Sequence, residues 1–225
     1  YSVTLNSNAD AYLALSIFMT PDASTGDLAE GQNTVQVQLT LIASQQASDA
    51  AAPEAWDGQA ATATEKLTKD KDVYLIYSPA DLAGVANILR NAEALHLTDC
   101  SLRLMADINM NNKPWIPIDT TASVTLDGNG HTIYNLNARA SNSAGLFGTV
   151  ANLKAASLTL SGGSATATDT AGMLAGTVTG SAVLTSVCVQ NVTVTAPTAN
   201  PMIGSGNVTE SGCNAANYTI NTGNS

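Results

Sequence analysis

Charge is scarce in this chain. Asp, Glu, Lys and Arg make up 12% of its 225 residues, about half the share found in ordinary globular proteins. The few charges are lopsided, 18 acidic against 8 basic, for a net −10. Phosphate backbones and anionic membrane surfaces are held by clustered Lys and Arg. The basic residues here are scattered, so neither nucleic acid nor a membrane surface is an expected partner. Aromatics are only 4%, so the core does not rest on a few large rings. No apolar run approaches the roughly 18 residues of a membrane span. Cysteine is limited to Cys100, Cys188 and Cys213, far apart and without a CxxC pair, which argues against zinc. They are expected as buried thiols acting as small hydrophobes. A Cys188–Cys213 disulfide is the alternative, since that separation is close to one period of the repeat below. No initiator Met and no signal peptide appear, so a chain starting at Tyr1 is read as a processed piece of something longer.

What is present is small and periodic. Apolar residues reach 44%, many of them Ala and Val, which suits flat layers of small side chains. The segment "SAGLFGTV" at 143–150 returns as "TAGMLAGTV" at 170–178, with a fainter "NPMIGSGNV" at 200–208. Leu146 and Met173 are 27 residues apart, and Met173 and Met202 are 29 apart. Self-similarity at a period of about 20–50 residues predicts stacked structural repeats. From residue 100 onward, short strand patterns alternate with tight turns. An apolar–Thr–apolar triplet recurs at Val124-Thr125-Leu126, Leu158-Thr159-Leu160, Val192-Thr193-Val194 and Tyr218-Thr219-Ile220. Between Val187, Val189 and Val192, Val194 the apolar parity flips across Gln190-Asn191, which predicts a corner where the chain begins a new side of a coil. Short strands joined by such corners make a β-solenoid.

Ahead of the repeats the pattern differs. Residues 1–43 read as strands: "YSVTL" and "NTVQVQLTL" alternate, and "AYLALSIFM" is apolar on both parities. They predict a small antiparallel, sandwich-like segment. Residues 44–71, rich in Ala, Ser, Thr and Gln, read as a linker whose middle is pinned by Trp56. "DVYLIY" at 72–77 is a strand, and a helix follows over 79–95. Ser78 is its N-cap, Pro79 stands at N1 and Asp81 at N3 completes a capping box. Leu82, Val85, Ala86 and Leu89 form one apolar stripe. Lying just before the first turn, this helix is expected to cover the open end of the solenoid.

The series "LIYSPADLAGVA", "LMADINMNNKPWIPI", "LDGNGHTIYNL" and "AGLFGTV", within 72–196, resembles bacterial surface proteins that carry the GLUG motif. That resemblance implies a right-handed parallel β-helix, secreted or surface-anchored in Bacteroidetes. The later copies depart from it, reading "GMLAG" and "PMIGSG". "LSIFMTPDAS" followed by "TVQVQLTL" resembles the late part of a fimbrillin-like sandwich. The second resemblance implies a pilus or adhesin protein and neighbouring subunits joined by strand addition.

Each chemically suggestive motif has a structural counterpart. "DGNGHTI" (Asp127–Ile133) places His131 where a proton shuttle would sit in a pectin-degrading β-helix. It lacks the Asp-Asp pair and the Arg-x-Lys that hold a uronate, and Asp-Gly and Asn-Gly form turns unaided. Asp107, Asn109 and Asn111 make an oxygen-rich cluster, too poor in carboxylates for calcium. Asp119, Asp127 and Asp169 would serve glycoside hydrolysis only if two lay about 5–9.5 Å apart. With His96 and His131 the sole histidines, a histidine-based triad has few places to form. Trp115 in "KPWIPI" is either a sugar-stacking platform or a plug for the first turn, and Tyr134 is the second aromatic candidate for a ligand face. Asn191, Asn207 and Asn217 head formal glycosylation sequons but are better explained as corner residues, because Asn tolerates tight turns.

The sequence therefore predicts a mainly β protein. Its parts are a sandwich-like segment (1–43), a linker (44–71) and a right-handed parallel β-helix with an N-terminal capping helix (72–225). The expected function is non-enzymatic: a cell-surface, adhesion or fimbrial-type protein, outer-membrane anchored through a removed leader, that presents its β-helix to host or glycan ligands. Trp115 and Tyr134 are the candidate contact residues, and no metal or cofactor is expected. The alternatives are a polysaccharide lyase or glycoside hydrolase, and a pure glycan-binding module.

Overall fold

A computed structural model describes residues 52–60, 69–70 and 72–223. The strands expected over 1–43 lie outside the described residues. Ala50–Ser225 form a compact unit. In chain order its elements are β1 (Lys69–Asp70), β2 (Val73–Ile76), α1 (Pro79–Arg90), β3 (Asp99–Leu104), β4 (Ile108–Asn109), β5 (Pro114–Trp115), β6 (Ile118–Asp127), β7 (Thr132–Arg139), β8 (Ser143–Ala144), β9 (Phe147–Thr166), β10 (Thr170–Ala171), β11 (Ala175–Gln190), β12 (Thr193–Thr195), β13 (Thr198–Ala199), β14 (Ile203–Ser211), β15 (Asn214–Ala216) and β16 (Thr219–Asn221).

These strands wind as a parallel β-helix of about five turns. Among the described residues every strand pairing is parallel except the short β1–β2 pair. The long strands β9 and β11 each bend around corners, so one turn is best followed by face. On the first face β2, β3, β6, β9, β11 and β14 stack in that order. On the second, Ile108, Ile133, Leu160, Val189 and Ala215 lie in register. On the third, Trp115, Ala138, Ala165, Val194 and Ile220 do so. Two shorter faces, through Ala144–Ala171–Ala199 and Phe147–Ala175–Ile203, close the circuit.

Parallel in-register pairing stacks like positions over like, so inward columns are apolar over their whole length. Cys100, Val124, Leu153 and Ala182 form one such column, each at most 5% exposed. The columns merge into one continuous core. The corners carry residues with positive φ: Asn129, Asn135, Ser157, Ser186, Asn191 and Asn217. Asn191 sits where the parity flip places a corner, between the second and third faces. The apolar–Thr–apolar triplets are not one repeated unit, however. They fall on three different faces, and only Thr193 and Thr219 stack on each other. They recur because any half-buried strand alternates in this way. Among the sequon residues, Asn191 and Asn217 turn corners, but Asn207 stacks against Ser181 within the first face.

The visible repeat has a steric cause. Gly145 and Gly172 lie on neighbouring turns, and a Cβ on Gly145 would collide with the Gly172 carbonyl. A Cβ on Gly176 would strike Ser143 Oγ and come within 2.6 Å of the Ala144 nitrogen. Ser143 Oγ itself is buried, donates to the Gly148 carbonyl at 2.8 Å and lies 2.9 Å from Thr170 Oγ1. The motif thus marks a corner where successive turns approach too closely to admit a Cβ. The hydrogen bonds set Met202 level with Leu174 and Pro201 level with Met173. The matching of Met202 to Met173 from the sequence is therefore one residue out of step.

The helix is shorter than its periodicity predicts, ending at Arg90 rather than near Leu95. Ser78 and Asp81 form the capping box, with Asp81 N donating to Ser78 Oγ at 3.2 Å and Ser78 N to Asp81 Oδ2 at 3.0 Å. At the other end the bonds tighten, as Asn91 N donates to Ile88 O and Ala92 N to Leu89 O. Leu82, Val85, Ala86 and Leu89 are at most 1% exposed and belong to the coil's own core. The helix packs on β2 and β6. Ile118 at the start of β6 pairs with β9 on one side only. Near the other side Arg90 Nε donates to the Pro117 carbonyl at 3.3 Å, and its terminal nitrogen to Ile116 O. The helix therefore covers the first turns at the end of the coil. Residues 55–56 join them there: Ala55 bridges Asn109, Trp56 N donates to Asn109 O at 2.9 Å, and Trp56 is 7% exposed. The middle of the stretch expected as a linker is thus part of the coil.

Two substitutions check this packing by chemical denaturation. Gly176→Ala is expected to lower stability by about 1–3 kcal/mol through overpacking, and Ser78→Ala by about 0.5–2 kcal/mol through loss of the cap.

Candidate functional site

Among the described residues, two ion-pairing side-chain pairs lie at the corner between the first and second faces, on the second and third turns. β3 and β6 are paired so that Arg103 stands beside Asp127. Arg103 Nε donates to Asp127 Oδ2 at 2.8 Å, with side chains 47% and 35% exposed. The chain then turns through Asn129 and Gly130, both with positive φ. Asp127 Oδ1 accepts from Asn129 N at 2.9 Å, which closes the turn. Asn129 Nδ2 reaches back one turn to Leu104 O at 3.2 Å. Asp107 Oδ1 accepts from Thr132 N at 3.0 Å and lies 3.1 Å from His131 Nδ1. Two separate pairs, Arg103–Asp127 and Asp107–His131, thus lie along this corner. Each carboxylate already binds a backbone N–H of the coil.

The other carboxylates suspected from the sequence do not join them. Asp119 Oδ1 accepts from Thr149 N at 2.7 Å on the face through Phe147, and Asp169 accepts from Thr168 Oγ1 at 3.3 Å beside β10. His96 lies in the turn after the helix. Among the described residues no three His, Cys, Asp or Glu side chains are grouped to hold a metal ion. In "DINMNN", Asn109 Oδ1 already accepts from Asn111 N and Asn135 Nδ2, and Asn111 Nδ2 donates to Trp56 O. Those oxygens serve as joints between turns.

The two aromatic candidates part company. Trp115 is 2% exposed, its indole N–H donates to Leu146 O at 3.0 Å, and its ring meets Trp56 edge to face at 5.7 Å. The Arg90 guanidinium covers it at 5.5 Å. Trp115 is a core residue, not a surface platform, because its place on the inward column of the third face leaves no ring face open. Tyr134 takes an outward position on the second face, half-buried, with Asn109 on the turn before and Ser161 on the turn after. Around it the outward rows continue as Thr132–Thr159–Cys188 and Asn109–Tyr134–Ser161–Gln190. Gln190 Nε2 donates to Ser161 Oγ at 3.4 Å along the row. Between Arg139 and Glu210 the only charged residues are Lys154 and Asp169, so this face continues as hydroxyls and amides with the Cys188 thiol among them. The feature that sequence reasoning missed is the pairing across turns, Arg103 with Asp127 and Asp107 with His131. Its only trace in the sequence is a separation of 24 residues in both pairs, close to one turn.

All three cysteines are free. Cys188 faces outward beside Asn214, whereas Cys213 packs half-buried against the core, so the alternative disulfide is not formed. Burial pushes the Cys100 thiol from its ordinary value of 9.0 up to about 11, against a smaller opposing pull from Lys69. A thiol pKa raised on folding stabilises the fold fully below the unfolded value, and the contribution is lost as pH rises through the folded one. Relative to Cys100→Ala, the parent chain is therefore expected to lose stability between about pH 9 and 11. Denaturation curves at pH 8 and pH 11 check this. Iodoacetamide at pH 8 is expected to label Cys188 and Cys213 well before Cys100.

Comparison with family models, with curated proteins and with solved structures finds no match to this chain.

Proposed function

We propose that this chain is a non-enzymatic surface protein of adhesion or fimbrial type, whose β-helix presents the face around Tyr134 to a glycan or host ligand. The observation that carries the reading is the pair of outward rows on the second face. They combine one half-buried aromatic ring with stacked hydroxyls and amides on a rigid scaffold. Such a face offers the stacking surface and the polar hydrogen-bonding groups that sugar rings require. The preorganised backbone lowers the ordering cost of binding. The GLUG-type and fimbrillin-like resemblances point the same way, to display at the cell surface and to neighbouring subunits joined by strand addition.

A second reading, a carbohydrate-active enzyme, draws on the corner that carries the Arg103–Asp127 and Asp107–His131 pairs. Against it, the corner holds two carboxylates, each already bonded to backbone. A glycan-array screen paired with a depolymerisation assay separates the readings. The expected outcome is retention of the chain on glycans with no fragments released. Tyr134→Ala is expected to weaken binding roughly tenfold, as loss of a contact worth more than about 1 kcal/mol does. Fragments released by the parent chain and abolished by Asp107→Asn would overturn the proposal in favour of the enzyme.

A further inference from the structure

The corner that joins β6 to β7 contains the chain's single Asn-Gly pair, Asn129–Gly130. Six asparagines among the described residues hold left-handed backbone, with φ between 50° and 56°: Asn111, Asn112, Asn129, Asn135, Asn191 and Asn217. Five of them are followed by Asn, Lys, Leu, Val or Tyr, whose side chains crowd the next backbone nitrogen. Only Asn129 is followed by glycine, and a Cβ on Gly130 would meet nothing within 4 Å. Both residues are exposed, so water reaches them. An asparagine amide beside an unshielded glycine nitrogen is a reactive pair, because that nitrogen, once deprotonated, can attack the side-chain carbonyl carbon.

In the folded chain the two reacting groups are held by different turns. Gly130 N donates to Ser157 O at 2.8 Å, on the following turn. Asn129 Nδ2 donates to Leu104 O at 3.2 Å, on the preceding turn. Nucleophile and leaving group are thus tethered to opposite neighbours. Asp127 Oδ1 accepts from Asn129 N at 2.9 Å, and His131 N donates to Gly128 O at 2.8 Å, so the backbone is fixed on both sides. An N–H engaged in a hydrogen bond must first give up that partner before its nitrogen can act as a nucleophile.

We propose that Asn129 is a site of self-modification that the fold keeps closed and that local opening of this corner unlocks. In the open corner Gly130 N bonds to Asn129 Cγ, the Cγ–Nδ2 bond breaks and ammonia leaves. Water then opens the cyclic imide at either carbonyl, which leaves an aspartate or an isoaspartate at position 129. Neither product rebuilds the corner. A carboxylate there has no hydrogen to give Leu104 O, and it adds a negative charge beside Asp127. The iso form also lengthens the backbone by one methylene, so the bonds from Gly130 N and His131 N no longer match the fixed spacing of the turns. Each conversion is one-way, so modified chains accumulate with the number of openings.

The test follows the parent chain and Asp127→Ala by peptide mass spectrometry in mildly alkaline buffer, with and without urea. Conversion of Asn129 in the folded parent is expected to be about tenfold or more slower than in urea, as for a segment open less than about a tenth of the time. Asp127→Ala removes the acceptor for Asn129 N. It should convert faster than the parent without urea and at the parent's rate in urea. If that variant fails to fold, urea below the unfolding transition takes its place and should speed conversion in the parent. Asn191 and Asn217 are internal controls, expected to convert more slowly than Asn129 once the chain is unfolded. The proposal is overturned if the folded and unfolded parents convert Asn129 within about twofold of each other. It is equally overturned if either control keeps pace with Asn129 in urea, or if loosening the corner leaves the folded rate unchanged.

Discussion

Everything in this molecule depends on one constraint: each turn must lie on the previous one in parallel register at about 4.8 Å. That spacing is set by backbone hydrogen bonds and cannot stretch to suit a large side chain. It explains why so few aromatics suffice, since Ala, Val and Leu columns fill the narrow interior. It also explains the glycines of the repeat, because a Cβ on Gly145, Gly172 or Gly204 would strike the backbone of the neighbouring turn. Turns of unequal length are tolerated only at corners. Ile108, Ile133, Leu160, Val189 and Ala215 are 25, 27, 29 and 26 residues apart, yet they stack in one column.

The same constraint governs the polar groups. Every corner interrupts the strand ladder and leaves backbone N–H groups in need of partners. Asp107, Asp119 and Asp127 supply them, accepting from Thr132, Thr149 and Asn129. Asn109 Oδ1 accepts from Asn111 N and from Asn135 Nδ2 one turn on, and the amide nitrogens of Asn111 and Asn129 donate to the Trp56 and Leu104 carbonyls. Residue types that suggest chemistry in a linear reading are therefore largely spent on holding one turn to the next.

The helix shows how local and global terms divide. Ser78, Pro79 and Asp81 dictate where it starts, and the capping box forms as their spacing requires. Where it stops is a tertiary matter. Leu95 continues the apolar pattern, but it is 57% exposed, because the chain must turn at Asn91 to bring Asp99 onto the first face. Arg90 ends the helix against the Ile116 and Pro117 carbonyls. That contact spans 26 and 27 residues of sequence and has no local signature.

The sequence by itself determined the class of fold, the helix start, the corner at Asn191 and the stacking of the glycine-rich copies, because each follows from spacing within a few residues or from a period that survives in plain view. It left Trp115 with two readings, and only the third-face register put its ring inside. It matched Met202 to Met173, and only the hydrogen bonds between turns moved the match to Leu174. It offered Asp119, Asp127 and Asp169 as partners, and only the winding of the coil placed them apart while joining Arg103 to Asp127 and Asp107 to His131. The physical reason is the same in each case. Alternation along a strand is a local property, but what lies one turn above or below depends on the length of every corner between, and those lengths vary without a rule that the residues display.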